Sequence, residues 1–348
     1  MAKKDKLLIG VDIGSHAIKV CQLQRFGNNY KLITAGSALL PTGAVEDGIL
    51  QDQSAVVKVL SSLLKNLKIK NRKIGISISG YSVIVKKINI EKMDDEALEN
   101  YINAEAEQYI PFDINDVYID YQKLPPRKEG YDRSDIMLVA AKKEVVDDYI
   151  AMLSELKLTT SLVDVDGFAL ENIWETVSGQ RENVALIDIG ASKMNINILS
   201  EGISVLARDV VVGSEQLTDQ LANVLGIDYT EAEKIKLGMG PSEEHEETIK
   251  NIFNQTCTQW VLEIKKAVDL YFANNPDRPL KAIILSGGGS KVNGLRDYIS
   301  RETGLEAIAF NPFASMICDD KKIDPHYLAT IGPEMAIAAG LAIRTASI

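Results

Sequence analysis

Two stretches decide the reading: Leu7-Leu-Ile-Gly-Val-Asp12-Ile-Gly14-Ser15-His16 near the start, and Val184-Ala-Leu-Ile-Asp188-Ile-Gly190-Ala-Ser192 past the middle. Each is an apolar run closed by an aspartate and a glycine-bearing turn, and each leads into a second strand-like run, Ala17 to Leu23 and Met194 to Ile198. Strand, tight turn, strand is the expected order. Met194-Asn-Ile-Asn-Ile198 alternates strictly, which predicts a half-buried strand. Both hairpins are followed by a third strand and then helix, so a duplicated α/β unit is the economical explanation.

Working outward, a turn at Gly27-Asn-Asn29 leads to a strand over 30–40, and Val56, Val57, Leu60, Leu63, Leu64 and Leu67 share one face of a helix over 52–67. Strands are expected at 74–78 and 83–90. A different unit then opens at Asp94 with a helix that stops at Pro111. It continues with strands at 117–124 and 136–141 around the turn-rich Pro125-Pro126-Arg-Lys-Glu-Gly130, a helix over 145–156 and a strand over 158–165. In the second half, helices are expected over 214–225 and 229–237, then a long one from Ile249 to about Tyr271 whose apolar stripe predicts core. A strand over 282–285, a Ser286-Gly-Gly-Gly289 loop and a helix over 291–300 complete the pattern. The expected organisation is a first lobe from 1–90 plus 158–178, an inserted α+β subdomain over 91–157, and a second lobe over 179–348 with a mostly helical subdomain at about 213–275.

The 348 residues carry 38 Lys+Arg against 49 Asp+Glu, a net charge of −11, which argues against a nucleic-acid surface because phosphate binding needs basic side chains. Three scattered cysteines and three histidines form neither a disulfide framework nor a zinc-spaced cluster, and an intracellular, reducing compartment is the expectation. No signal peptide is indicated, and the apolar run from Met335 to Ile343 is far shorter than the roughly 20 residues that span a bilayer. Lys3, Lys4 and Lys6 are read as a solvated chain end rather than a lipid contact.

Gly287-Gly-Gly-Ser-Lys291-Val-Asn-Gly294 fits neither the dinucleotide fingerprint nor the P-loop, since no Gly-Lys pair occurs in the chain. Three glycine-bearing turns remain, at Gly14, Gly190 and Gly287. Successive backbone N–H groups in such turns cradle anions, and two hairpins facing each other from related lobes would grip a polyphosphate from both sides. An aspartate at each strand end suits magnesium.

On these residues the chain resembles the actin, chaperone-ATPase and sugar-kinase superfamily: Asp12-Ile-Gly14-Ser15 with Lys19 as first phosphate motif, Asp188-Ile-Gly190-Ala-Ser192 as second, and Ser286-Gly-Gly-Gly-Ser290 as adenosine motif. Within it the chain is similar to the PilM family of type IV pilus assembly proteins over nearly its whole length, through Glu105-Ala-Glu-Gln-Tyr-Ile-Pro-Phe112, Asp120-Tyr-Gln, Val163-Asp-Val-Asp166, Asn311-Pro-Phe313 and Gly340-Leu-Ala-Ile-Arg344. The resemblance implies an α/β, actin-like (ribonuclease H-like) two-lobe fold, with an insert like the small subdomain of the cell-division protein FtsA. It implies ATP and Mg²⁺ as ligands, with Asp12 and Asp188 orienting water around the metal. Gly14, Ser15 and Lys19 would contact the β- and γ-phosphates, with Gly190 and Ser192 opposite. Gly287, Gly288 and Ser290 would line the adenosine pocket, and Glu233 and Lys236 would reach the ribose and adenine, unless they are only an exposed i,i+3 helix pair. Asp166 stands where relatives position the attacking water, although a plain helix N-cap is the favoured role. His16, bulkier than the residue common at its position, is expected to point to solvent.

The family also implies a partner, the cytoplasmic N-terminal peptide of the inner-membrane protein PilN, bound in a groove near the insert, with contacts to other pilus components including the cytoplasmic motor. Localisation is then the cytoplasmic face of the inner membrane, reached through PilN. Hydrolysis would be slow at most, with ATP acting as structural ligand or switch. Two other readings carry different chemistry. A small-molecule kinase would use Asp166 as base, and an FtsA-like scaffold would form filaments by self-association. That relative typically carries an amphipathic helix after its last lobe, whereas the sequence ends four residues after Arg344, so direct membrane attachment is disfavoured.

Overall fold

A computed structural model describes residues 7–125, 132–179, 181–240 and 245–345. Lys3, Lys4 and Lys6, and all but Pro125 of the turn at 125–130, lie outside the described residues. The first lobe is built on β1 (Ile9–Ile13), β2 (Ala17–Phe26), β3 (Asn29–Leu39), β6 (Lys73–Ile78) and β10 (Thr159–Val165), in the order β10-β6-β1-β2-β3. A two-strand ribbon, β4 (Val45–Glu46) with β5 (Ile49–Leu50), precedes α1 (Gln53–Asn66). The second lobe carries β11 (Val184–Ile189), β12 (Met194–Ser200), β13 (Ile203–Val210), β14 (Ala282–Ser286) and β15 (Ala307–Ala309), in the order β13-β12-β11-β14-β15. In each sheet the hairpin and its third strand are antiparallel, and the two crossover strands are parallel to the first. The duplication read from the two aspartate turns is therefore a duplication of topology.

Local chemistry starts and stops the elements. Asp52 accepts from the Ala55 N–H at 3.0 Å and caps α1, which buries Val56, Leu60, Leu63 and Leu64 against the first sheet. The long helix α7 (Glu246–Asn274) turns Trp260, Val261, Ile264, Val268 and Tyr271 into the second-lobe core, together with α5 (Glu215–Leu225) and α6 (Tyr229–Lys236). Where a helix was expected over 291–300, Gly288 to Lys291 makes only a single tight turn. Gly294 at φ +78 breaks the chain before α8 (Leu295–Thr303).

Several long-range facts differ from the expectation. β12 is buried on both faces, because its polar side is covered: Asn197 Nδ2 donates to the Gly167 carbonyl of α4 (Asp166–Ser178) at 3.0 Å. The small sheet is β7 (Val83–Glu91), β9 (Arg133–Lys142) and β8 (Val117–Lys123), in that order, with α2 (Asp95–Glu105) on one face. It thus begins at Val83, ahead of the edge placed at about 91, since β7 pairs with β9 along its whole length. α3 (Lys143–Glu155), counted with the insert, instead buries Val145, Tyr149, Met152 and Leu153 in the same core as Ile9, Val11 and Ile74. After α9 (Pro325–Ile331), α10 (Ala336–Ala342) leaves the second lobe and packs on β1 and α4 of the first. That contact is backbone to backbone: a Cβ on Gly10 would lie 1.9 Å from the Ala338 carbonyl oxygen, and one on Gly340 would lie 1.9 Å from that of Ala169.

Candidate functional site: an interlobe cleft

The two aspartate turns meet. Gly14 N–H donates to the Ala17 carbonyl at 3.1 Å and Gly190 N–H to that of Lys193 at 2.8 Å, closing two equivalent bends. Ser15 Oγ then donates to Ser192 Oγ at 3.0 Å, across 177 residues of chain. Below the bends, Asp12 stands opposite Lys19 in the β1–β2 register and the two form an ion pair at 3.2 Å. In the second hairpin Asn195 holds the position opposite Asp188, whose carboxylate accepts from Ser286 Oγ at 2.7 Å.

Buried Asp12 and half-buried Asp188, so arranged, resist ionisation. Burial pushes Asp188 up to about 7 against the pull of the Ser286 hydroxyl, and Asp12 adds repulsion. Burial also raises Asp12, with Lys19 opposing and Asp166 reinforcing. Burial disfavours the Lys19 ammonium, yet Asp12 and Asp188 more than compensate and hold it above its ordinary value. This all-oxygen acidic pair fits a hard cation such as Mg²⁺. Among the described residues no three His, Cys, Asp or Glu side chains converge as ligands, so phosphate oxygens and water would complete such a shell.

Asp166 does not cap its helix. It lies in the first turn of α4 and makes no cap hydrogen bond; its carboxylate accepts from Ser77 Oγ at 2.6 Å and from Ser79 Oγ, and pairs with Lys193 Nζ at 3.4 Å. Lys193 also donates to Ser79 Oγ. The first lobe is thereby tied to the second, and Asp209 repeats the tie by accepting from the Gly80 N–H and from Asn195 Nδ2 at 2.8 Å. The sequence reading named none of Ser77, Ser79, Lys193 or Asp209. Lys193 was visible as a cation directly after Ser192, whereas the serines come from a strand end with no motif.

Beyond the bends a cavity of about 250 Å³ continues from a smaller one of about 70 Å³ between them; both are lined by His16, Lys19, Gly190 and Ala191. The larger chamber receives Gly288, Tyr229, Glu233 and Lys236. Glu233 and Lys236 are therefore not an exposed helix pair: Lys236 is buried, pairs with Glu233 and donates to Thr218 Oγ1 at 2.8 Å. Burial lowers the Lys236 ammonium, with Glu233 opposing. His16 faces Tyr229 across the cleft at 6.4 Å between ring centroids rather than pointing to solvent, because the Ser15 turn leans onto the second lobe. Gly287 and Ser290 shape the loop instead of lining the chamber. Gly287 has φ +82 and a Cβ there would lie 2.4 Å from the Ile189 carbonyl oxygen, while Ser290 Oγ donates to the Gly287 carbonyl at 2.7 Å.

A second concavity of about 440 Å³ lies beside the insert, between β8, β10, α4 and the β12–β13 turn, with Tyr121, Met137, Phe168 and Glu171 on its walls. Glu171 is pushed up to about 7 by burial, although Asn197 Nδ2 donates to it at 3.3 Å. The folded protein therefore holds a proton there that the unfolded chain releases near the ordinary 4.5. The stability this provides is complete below about pH 4.5 and is lost as pH rises through about 7. Glu171→Gln is expected to flatten the fall in Tm between pH about 5 and about 8 by a few degrees, without abolishing it, since Asp188 and Asp164 are raised in the same direction. Thermal unfolding across that range checks it; an unchanged slope rejects the assignment.

Two matching sheets with facing hairpins over an acidic, lysine-bearing cleft define the actin-like ATPase fold. Within that class the chain belongs to the type IV pilus assembly protein PilM family, whose family model matches residues 10–346. The solved PilM-PilN type IV pilus biogenesis complex is similar at 25% identity and TM-score 0.85, covering 98% of this chain and 99% of that one. Ethanolamine utilization protein EutJ from Carboxydothermus hydrogenoformans shares the fold at 15% identity and TM-score 0.57, covering 97% of this chain and 89% of that one. MreB 5 of Spiroplasma citri bound to AMPPNP shares it at 13% identity and TM-score 0.54, covering 97% and 95%. No helix among the described residues is long and apolar enough to cross a membrane.

Proposed function

We propose that the chain is an ATP-binding adaptor of type IV pilus assembly, in which Mg-ATP held in the interlobe cleft favours a closed arrangement that offers the concavity beside the insert to the N-terminal peptide of PilN. One observation carries this reading: α4 serves both places. Its first residue, Asp166, is bonded to Ser77, Ser79 and Lys193 at the phosphate end, while Phe168 and Glu171, within two turns, line the concavity. A shift of α4 on nucleotide binding alters the peptide wall directly, and a ligand with different affinity for the two arrangements shifts their populations. In this reading Asp12 and Asp188 hold the hydrated Mg²⁺, Lys19, Ser15 and Ser192 take the phosphates, and Glu233, Lys236 and Gly288 border the nucleoside. The metal's contribution is to neutralise phosphate charge.

Asp166 already accepts two hydroxyls and an ammonium, so it is poorly placed as a free base, which argues for slow hydrolysis and against a metabolite kinase. The protein would work at the cytoplasmic face of the inner membrane, held there through PilN. Calorimetric titration of a PilN N-terminal peptide should show binding that tightens about ten-fold or more when Mg-ATP is present, the usual range of coupling energies. Absence of binding under both conditions rejects the adaptor.

A further inference from the structure

From Gln53 to Ile90 the chain carries eight Lys or Arg and no Asp or Glu, in a protein whose net charge is −11. Most of those cations gather at one edge of the first lobe, where the loops after α1 and α3 run side by side. Thr159 N–H donates to the Arg72 carbonyl at 2.8 Å, and Thr159 stands opposite Lys73 in the β10–β6 register. Lys65 from the last turn of α1, Lys68, Lys70 and Arg72 from the loop after it, Lys73 at the start of β6 and Lys157 from the second loop are all exposed, and none makes an ion pair among the described residues. The acid nearest in sequence to Lys157, Glu155, accepts instead from Gln53 Nε2 at 2.8 Å.

Two of these lysines stand where other helices of the chain end on glycine. α4, α5 and α8 finish at Gly179, Gly226 and Gly304 with φ of 63, 66 and 71, whereas α1 and α3 run into Lys68 and Lys157 with φ of 54 and 56. A left-handed backbone costs a residue with a Cβ more than it costs glycine, and a cation near a helix C-terminus recovers some of that. Both loops lack large exposed apolar side chains, and none of the six residues lines a cavity described above. The edge therefore offers hydrated point charges with neither pocket nor apolar anchor. That suits a diffuse negative surface, not a folded partner whose acids must be matched one by one.

We propose that this lysine edge of the first lobe is an electrostatic docking face for an anionic phospholipid surface. It stands apart from the cleft and from the peptide concavity, and does not depend on either reading. The test is co-sedimentation of the full chain with phosphatidylcholine vesicles, with and without about 30% phosphatidylglycerol, at low and high salt. The variant is Lys68→Gly, Lys70→Gln, Lys73→Gln and Lys157→Gly combined; its glycines relieve the left-handed backbone, so thermal unfolding should match or exceed wild type. Wild type should bind only the anionic vesicles and release them in high salt. At about five-fold per cation near such a surface, the variant should bind several-hundred-fold more weakly. Equal binding to neutral vesicles, no binding to anionic ones, or full retention by the folded variant overturns the proposal. So does tighter binding to soluble polyglutamate than to the anionic vesicles at equal concentration of negative charge, which would assign the edge to an acidic protein segment.

Discussion

Gly340→Ala is expected to lower the unfolding free energy by about 2 kcal/mol and to weaken binding at both the cleft and the concavity. A Cβ at this position would lie 1.9 Å from the Ala169 carbonyl oxygen and 2.6 Å from its carbon, so α10 and α4 must separate by an ångström or more. Overpacking of this kind typically costs about 1–3 kcal/mol, and here the obstacle is backbone, which cannot swing aside. The gain in helix propensity over glycine, about 1 kcal/mol, offsets only part of it. Because α4 carries Asp166 and Glu171, the displacement reaches both ligand regions. Urea unfolding checks the stability; a midpoint unchanged from wild type would show that α10 does not press on α4 as described.

Lys19→Met should weaken ATP binding about a hundred-fold, the loss of a charge-assisted phosphate contact worth about 3 kcal/mol. The same change leaves buried Asp12 and half-buried Asp188 without the Lys19 cation, so both carboxyls rise further. The sign of the pH effect follows: folded-state protonation above the unfolded value makes the variant more stable as pH falls, and its Tm should drop more steeply than wild type's as pH rises past about 7. Calorimetry with Mg-ATP and thermal unfolding across pH read the two effects separately. An ATP Kd within roughly two-fold of wild type would remove Lys19 from the phosphate site.

Much of the cleft was legible because its parts are short and chemically marked. Asp12-Ile-Gly14-Ser15 and Asp188-Ile-Gly190-Ala-Ser192 are each a strand end and a turn, and their likeness pointed to one unit used twice. The helical face of α1 and the stripe of α7 were likewise legible, since a 3.6-residue period records which side is buried. The same reasoning went astray where burial depends on a distant element. Asn195 and Asn197 alternate with apolar residues as an exposed face would, yet α4 and β13 cover them. Glu233 and Lys236 look like a surface pair until α5 supplies Thr218 beside them.

The sequence by itself determined the repeated unit, the acidic turns, the glycine loop and most element starts and stops, because capping, turn geometry and periodicity act over a few residues. Only the tertiary structure decided that Ser15 touches Ser192, that Lys193 ties Asp166 to Ser79, that α3 belongs to the first-lobe core and that α10 crosses back onto β1. Those contacts join residues up to hundreds apart in the chain. They exist because two sheets and two helices must bury their remaining faces against each other, a demand no local pattern records.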